Sequence, residues 1–226
     1  MKNMMNIVFI AMTLVLVGCV NSEPKPAELS DSDVIMDRLH RVTNADASLA
    51  YADPNADFSK YGQVMIDPLG VSDIEIIKPN TRSSVNSRAG RSNWELTDAD
   101  KLSLQKAFAD AMTVQLQEKG DYPIVTETAP DVLRISAVLT ALAPSAPPEN
   151  HMTRGRVYTE GSGSVYISVG FVDSESGEIL AIVKDVKSSN NQWGINNRVT
   201  NMSDVKFMFI GWARTIRARL DIVRGD

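Results

Sequence analysis

GSVYISVGFV at 163–172, DSESGE at 173–178 and ILAIVKDV at 179–186 are the three consecutive segments that decide the fold. The first and third are rich in β-branched and aromatic residues, which favour strands. The second consists of turn-forming residues, and Gly177 offers a position where φ can be positive without a steric cost. Together the three segments predict a β-hairpin.

Four other segments have strand character, because their β-branched and aromatic residues are bounded by proline or by turn residues. In one of them, 131–142, the apolar residues alternate well enough for a strand that is buried mainly on one face. The four segments are 61–68, 74–79, 122–126 and 131–142.

A helix is predicted to begin after Thr97, which can accept a backbone hydrogen bond as the N-cap and is followed by two carboxylates in the first turn. Apolar residues then recur every four positions and so share one face of the helix. They are Leu104, Phe108, Met112 and Leu116. The helix is expected to end at Lys119, with Gly120 as its left-handed C′ residue.

A second long helix is predicted to start near Asn201 or Ser203. Trp212 lies on its apolar stripe and is predicted to be a core residue. The stripe has spacings of three and four and comprises Val205, Phe209, Trp212, Ala213, Ile216, Leu220 and Val223. Four arginines fall mostly off the stripe and are expected to form a solvated face near the helix C-terminus: Arg214, Arg217, Arg219 and Arg224.

A short helix is also expected after Ser30, because the residues from Ser30 to Asp33 match an N-terminal capping pattern. The main elements follow an order near β-β-α-β-β-β-β-α. This order predicts an α+β fold: a single two-layer domain in which a mixed or mainly antiparallel sheet carries two main helices on one face.

The N-terminal residues have the layout of an export signal. Lys2 is followed by the apolar run 7–17 and then by Gly18 and Cys19. The run is shorter than the roughly 20 apolar residues of a membrane span. LVGC at 16–19 resembles the lipobox of bacterial lipoproteins, in which the cysteine receives diacylglycerol, the chain is cut before it, and the new N-terminus is acylated. The alternative is a plain cleaved signal with an incidental cysteine.

The lipobox divides the chain into three parts. We predict a lipoprotein signal peptide at 1–18, a lipidated N-terminus and tether at 19–28, and a single α/β domain at 29–226. The tether is polar and twice interrupted by proline. Val20 follows Cys19 where an inner-membrane retention signal would resemble Asp, which favours sorting to the outer membrane, with the domain in the periplasm.

The composition limits the partners and the chemistry. A formal net charge of −5 and a pI of about 5.1 argue against a nucleic-acid partner, whose phosphates require a basic surface. Cys19 is the only cysteine of the 226 residues. With this thiol bound to lipid, no disulfide can form within one chain, so the hydrophobic core must stabilise the fold.

Three polar segments leave the predicted core, at 79–93, 144–162 and 187–203, and long loops of this kind tend to be functional or disordered. The first contains Arg82, Arg88 and Arg91 with no acid between them. These arginines could contact a phosphate, a lipid head group or a partner. The alternative is an ordinary solvated loop.

Six phrases of the chain resemble a family of small bacterial lipoproteins, the DUF3313 type, over nearly all of the mature chain. They are YADP at 51–54, FSKY at 58–61, VMIDP at 64–68, DVLRI at 131–135, FVDSESGE at 171–178 and FIGWAR at 209–214. Ser176 stands where the family pattern often has Thr. The resemblance implies a lipoprotein, at the outer membrane, and supplies no activity.

The sequence contains no recognised catalytic or metal-binding motif. His40 and His151 have neither the HExxH spacing nor a cysteine pair for zinc. The nucleophile elbow and the phosphate-binding loops are missing. Asp173, Glu175 and Glu178 lack the ligand alternation of a calcium loop, so they are interpreted as acidic residues on a turn. We therefore expect no enzymatic activity and no cofactor.

Two functions follow from this reasoning. The favoured one is a non-enzymatic cell-envelope lipoprotein, anchored to the membrane through lipid on Cys19, that binds or scaffolds an envelope protein or glycan. The alternative is a small-molecule carrier or periplasmic hydrolase with a pocket between the sheet and the helices. A filled core favours the first, and a deep pocket with converging polar groups favours the second.

Overall fold

The computed structural model describes residues 28–78, 96–146, 158–190 and 192–225. Within these ranges the chain forms ten strands and two α-helices. The strands are β1 (Leu29–Ile35), β2 (Leu39–Val42), β3 (Leu49–Ala52), β4 (Gln63–Ile66), β5 (Glu75–Ile76), β6 (Val132–Pro144), β7 (Tyr158–Glu160), β8 (Gly163–Asp173), β9 (Ile179–Ser188) and β10 (Trp193–Ile195). The helices are α1 (Asp98–Met112), which continues as a π-helical segment (Thr113–Glu118), and α2 (Arg198–Arg224).

Eight of the strands form one mixed, mainly antiparallel sheet in the order β1-β2-β3-β9-β8-β6-β4, with β5 also pairing with β6. Only β4 and β5 run parallel to their neighbour. Strands β7 and β10 form a separate antiparallel ribbon. The predicted hairpin is confirmed as β8 and β9, and Gly177 in its turn has a φ of +72°. The α+β fold is therefore as predicted.

The long central strands give the sheet two ends that are useful landmarks. At the Gly163 end, β6 finishes at Pro144, β8 begins at Gly163 and β9 finishes at Ser188. At the Asp173 end, the turn between β8 and β9 closes the hairpin. The two names are used below in this sense.

The core lies between one face of the sheet and both helices. Alternate residues of β8, namely Val165, Ile167 and Val169, are at most 3% exposed and belong to the same cluster as the apolar residues of α1 and α2. Phe108 of α1 meets Phe209 of α2 edge to face, with ring centroids 5.6 Å apart. Both main helices therefore cover the same face, as predicted.

Trp212 is a core residue, as its position on the apolar stripe predicts. Its side chain belongs to the main cluster, and the residue is only 6% exposed. The helix begins earlier than predicted, at Arg198, because the Asn197 side chain accepts hydrogen bonds from the N–H groups of Val199 and Thr200.

The other face of the sheet carries neither α1 nor α2 and is called the open face. Val138 and Val186 on this face are 43% and 37% exposed. Pairing across the strands places them on one surface with other partly or fully exposed side chains. The open face is defined by Tyr51, Val138, Tyr166, Ser168, Ile182, Lys184 and Val186.

The predicted short helix after Ser30 is wrong, because this segment is the edge strand β1. Leu29 pairs with Val42 and Ile35 with Leu39 in an antiparallel ladder. Met36 and Asp37, both with positive φ, form the turn that brings β2 back beside β1. The backbone N–H and C=O groups of this segment form hydrogen bonds to β2, so they do not need the partners that a capped helix would provide.

The prediction of Gly120 as a left-handed C′ residue is also wrong. The residue with positive φ is Asp121, at 50°. Gly120 is packed against α2, and a Cβ atom there would lie 2.8 Å from Cγ and Cδ of Arg217. This position therefore requires a small residue because the neighbouring helix approaches closely.

Three further expectations need correction. In 122–126 the structure has only an isolated bridge, between Val64 and Ile124, and no regular strand. The segment 187–203 is not one long loop, because it contains β10 and the start of α2. Three of the four arginines that were expected to form a solvated face near the end of α2 have partners: Arg217 lies 3.7 Å from Asp221, Arg219 pairs with Asp46, and Arg224 covers the ring of Tyr122.

None of the helices in the described part of the chain combines the length and the apolar composition that a bilayer crossing requires.

Candidate functional site

The site residues predicted from the sequence lie outside the described residues. These are Cys19, the predicted lipid attachment residue, and Arg82, Arg88 and Arg91, the predicted contacts for an anion or a partner. The described residues that flank the arginine segment are Lys78 and Leu96. The lipid attachment and the arginine contacts therefore stay predictions.

One cluster of charged side chains lies at the Asp173 end, and spacing along the sequence gave no sign of it. The Asp173 carboxylate accepts a hydrogen bond from the Tyr61 hydroxyl at 2.7 Å and from the Lys60 ammonium at 3.0 Å, both on Oδ2. Its Oδ1 accepts from the N–H groups of Glu175 and Ser176 and from the Ser176 hydroxyl. This carboxylate joins the hairpin turn to the segment before β4.

The hydrogen bonds change the acid–base behaviour of this cluster. The backbone N–H of Ser176, followed by Tyr61 and Lys60, stabilises the carboxylate and holds the pKa of Asp173 well below its usual value. Burial, and next the hydrogen bond to Asp173, raise the pKa of Tyr61 to about 12. The bond to Asp173 also raises the pKa of Lys60. Because the pKa of the carboxyl is lowered and the pKa of the phenol is raised, both lie far from neutral pH. The two groups are therefore suited to a structural role and poorly suited to proton transfer near neutral pH.

The cluster corrects the interpretation of Asp173 as an acidic residue on the surface of a turn. Asp173 is only 9% exposed. The cluster also explains why two of the phrases shared with the DUF3313 type occur together. FSKY supplies Lys60 and Tyr61, and FVDSESGE supplies Asp173 and Ser176. The two phrases contact each other in the fold.

A second carboxylate, partly buried, connects α2 to the sheet. Asp185 of β9 accepts a hydrogen bond from the indole N–H of Trp212 at 2.7 Å and from the backbone N–H of Ser48 at 3.1 Å. Burial alone would raise the pKa of Asp185, but these hydrogen bonds outweigh it and leave the pKa below its usual value. Lys187 lies over the Trp212 ring, 5.7 Å from its centroid. These contacts fix the orientation of the Trp212 ring within the hydrophobic core.

An apolar cleft opens at the Gly163 end, between the helices and the sheet. Its volume is about 170 Å³, and most of its lining is aliphatic side chains and methionines. They include Ile76, Leu104, Leu142, Val165, Met202 and Met208. Ligand pockets usually measure about 300 to 1,000 Å³, so this cleft is small for a carrier.

Asn201 of α2 gives the cleft a polar point. Its Nδ2 donates to Oδ1 of Asn196 at 2.6 Å. Its own Oδ1 is buried and accepts no hydrogen bond from the described residues. A buried carbonyl without a donor costs about 1 to 3 kcal/mol.

No group of three or more potential metal ligands occurs in the ranges that the structure describes.

The comparisons with known proteins identify the family. A family model for a protein of unknown function, DUF3313, matches residues 29–216. The chain belongs to the DUF3313 family, as its sequence phrases predict. A comparison with curated proteins found no match.

Several solved structures resemble the chain at low identity. A PelC variant from Paraburkholderia phytofirmans, crystallised as a dodecamer, is 12% identical, with coverage of 71% of this chain and 89% of that one and a TM-score of 0.36. Protein XCC0632 from Xanthomonas campestris is 7% identical, with coverage of 71% and 84% and a TM-score of 0.40. A minor lipoprotein from Acinetobacter baumannii is 9% identical, with coverage of 70% and 94% and a TM-score of 0.30. Likenesses of this size assign neither a function nor a partner.

Proposed function

We propose that the protein is a non-enzymatic lipoprotein of the bacterial cell envelope, held at the outer membrane by lipid on Cys19, that binds an envelope protein or glycan through the open face of its sheet. The lipid anchor rests on the lipobox at 16–19 and on the short apolar run before it. The domain then lies in the periplasm.

The observation that supports binding is the composition of the open face. In an antiparallel strand with one face on the core, the alternate residues that face solvent are normally polar. Here Tyr166 stands opposite Val186, and Ile182 stands between Tyr51 and Gly170 on neighbouring strands. Val138 and Val186 remain well exposed. A broad surface with aromatic and aliphatic side chains and a few polar residues is typical of interaction sites.

The absence of catalysis is supported by how the described carboxylates are used. Asp173 and Asp185 are occupied by hydrogen bonds that stabilise the hairpin and α2. Arg38 donates to Asp53 at 2.9 Å, to Glu178 at 2.6 Å and to the carbonyl of Ile179, which ties the β1–β2 turn to β9. These groups have structural partners and do not line the cleft. Asp100 does line it, and its carboxylate accepts hydrogen bonds from the N–H and hydroxyl of Thr97 in the capping box of α1.

Site-specific photocrosslinking in living cells tests this proposal. A photoreactive amino acid is placed in the full-length protein at Val138 or Val186 on the open face, and at Ala109 on the exposed side of α1 as the control. We expect crosslinks to one envelope component from the two open-face positions and none from Ala109. Crosslinks from Ala109 alone, or turnover of an envelope substrate by the purified protein, would contradict the proposal.

A small-molecule carrier is the second candidate, and the apolar cleft between the helices and the sheet is the observation that favours it. Filling the cleft by Val165→Phe should then displace a bound molecule that native mass spectrometry detects in the wild-type protein. Wild-type protein extracted from membranes without any bound molecule would count against a carrier. A periplasmic hydrolase, the other part of this alternative, would require catalytic groups at the same cleft.

Arg82, Arg88 and Arg91 are proposed as a contact for an anion or for the partner. The test is replacement of all three by glutamine, with the same crosslinking experiment as the measurement. Unchanged crosslinks would place them in an ordinary solvated loop.

A further inference from the structure

The open face has a charged side chain among its apolar ones. Of the residues that define this face, Lys184 on β9 is the only one that carries a charge near neutral pH. Its cross-strand neighbours are Leu49 on β3 and Ser168 on β8. Ile182 and Val186 lie two residues away on β9 itself and so share the face. Aliphatic side chains therefore adjoin the lysine on three of its four sides.

The apolar surface continues beyond these nearest neighbours. Tyr51 and Tyr166 lie diagonally from Lys184, one on each neighbouring strand. Val138 on β6 is 43% exposed and pairs with Ser168, so it extends the face one strand further. Lys184 thus lies inside the open face, and a partner that covers these side chains also covers the lysine.

The ammonium of Lys184 has no partner within the domain. Lys184 is exposed, and its side chain makes no ion pair or hydrogen bond with any residue that the structure describes. Strand pairing and alternation place two other cations on the same side, and both have a carboxylate: Arg41 lies 3.6 Å from Asp33, and Arg134 donates to Asp67 at 2.9 Å. Their charges are therefore neutralised within the domain, whereas that of Lys184 is not.

The unpaired cation restricts what can cover this face. An ammonium taken out of water without an opposite charge is strongly unfavourable, and the side chains around Lys184 include no carboxylate to offset this cost. A neutral glycan offers only uncharged hydroxyl groups. The aliphatic side chains of Leu49, Ile182 and Val186 require apolar groups against them. A protein surface that combines a carboxylate with apolar side chains meets both requirements.

A second copy of this chain does not meet them. The open face itself contains no acidic residue. Asp33 beside it already accepts a hydrogen bond from the Tyr51 hydroxyl at 3.0 Å, and Asp67 is held by Arg134. Two copies packed face to face would bring two Lys184 side chains into one interface, and like charges there are unfavourable.

We infer that the open face binds a protein surface in which an aspartate or glutamate is set among apolar side chains, and that this carboxylate pairs with Lys184. The inference rests on the proposed function, in which the open face is the binding surface. It narrows the partner from an envelope protein or glycan to a protein with an acidic group inside an apolar contact. Lys184 is then the residue that selects this partner.

Charge variants of Lys184 test the inference by photocrosslinking in living cells. The photoreactive amino acid is placed at Val138 of the full-length protein, which carries Lys184, Lys184→Arg, Lys184→Met or Lys184→Glu. We expect Lys184→Glu to lower the crosslink yield about tenfold or more, because two like charges then meet. Lys184→Met should lower the yield less, and Lys184→Arg should keep most of it.

The matched control makes the same change of charge at another site. Lys119 is exposed and directly follows the π-helical segment that continues α1, so it lies away from the open face. Lys119→Glu should leave the crosslink yield unchanged. Urea midpoints of the purified variants show whether each one folds, and Lys184→Met keeps the test valid if Lys184→Glu does not.

Zero-length coupling with a carbodiimide identifies the carboxylate. This reagent joins an amine to a carboxylate only where the two groups are in contact. In isolated envelopes, the wild-type protein should form an amide between Lys184 and an aspartate or glutamate of the protein that Val138 photocrosslinks. Replacement of that acidic residue by lysine in the partner should restore the crosslink yield of Lys184→Glu.

The outcomes separate this inference from the proposed function. Crosslinks from Val138 with equal yields in Lys184→Glu and Lys119→Glu would overturn the carboxylate contact and leave the open face as the binding surface. A crosslinked glycan, lipid or second copy of this chain would also overturn the inference. If the wild-type protein gives no crosslinks from Val138 or Val186, the proposed function fails and the inference fails with it.

Discussion

Replacement of Asp173 is the change whose effect the structure determines most closely. In Asp173→Asn, the amide oxygen can keep the position of Oδ1 and accept from the turn N–H groups of Glu175 and Ser176. The amide nitrogen then takes the place of Oδ2, opposite the Tyr61 hydroxyl and the Lys60 ammonium. Lysine is only a donor, so this contact is lost, and Tyr61 keeps at best a neutral hydrogen bond.

The size of the effect follows from the two lost contacts. A hydrogen bond to a charged group contributes about 1.5 to 3 kcal/mol, which sets the scale for the buried Tyr61 contact. The Lys60 side chain is 48% exposed, so its ion pair adds no more than about 1 kcal/mol. We expect Asp173→Asn to lower the free energy of unfolding by about 2 to 4 kcal/mol. Tyr61→Phe should cost about 1.5 to 3 kcal/mol and Lys60→Met less than about 1 kcal/mol.

Urea unfolding followed by tryptophan fluorescence measures these differences. Because the folded pKa of Asp173 lies below the unfolded value of about 3.9, its contribution is fully present above that value and is lost as the pH falls toward the folded pKa. The gap between wild type and Asp173→Asn should therefore narrow below about pH 4. An unchanged midpoint for Tyr61→Phe, or a gap that stays constant down to acidic pH, would refute this explanation.

Three further changes test the packing. Trp212→Ala should lower stability by about 3 to 5 kcal/mol. Trp212→Phe should lower it by less, because it keeps one ring while it loses the second ring and the donor to Asp185. Equal urea midpoints for both variants and wild type would place Trp212 outside the core. Gly120→Ala should cost about 1 to 3 kcal/mol because its Cβ meets Arg217, and Arg217→Ala in the same chain should restore most of the loss in thermal unfolding. Thr97→Ala should cost about 1 kcal/mol by removing the capping box with Asp100, whereas Ser103→Ala on the same helix should leave the midpoint nearly unchanged.

The parts of the fold that could be predicted depend on signals contained in short stretches of sequence. The hairpin of β8 and β9 combines two strand segments with a glycine turn, and α1 has both its cap and its four-residue apolar spacing within one segment. Trp212 was placed in the core by its position on the stripe of α2 alone. Each of these signals can be read without knowing what packs against the segment.

The features that escaped prediction depend on contacts between distant residues. Strand β1 is polar and lies at the edge of the sheet, so its structure is decided by its pairing with β2. Its local capping pattern wrongly indicates a helix. Tyr61 and Asp173 are separated by 112 residues, and no spacing rule connects them. Gly120 requires its small size because Arg217, far along the chain, passes over it. The cleft likewise exists only once α1, α2 and the ends of β6 and β8 have come together.

The mass of the mature protein, purified from the membrane fraction, tests the central claim most directly. A lipoprotein processed at LVGC begins at Cys19 and carries diacylglycerol on the thiol and an acyl chain on the new N-terminus. We therefore predict an N-terminal peptide that starts at Cys19 with the added mass of these lipids, and its loss in Cys19→Ser. A mature chain with a free Cys19 thiol, or one cut at another residue, would contradict the account.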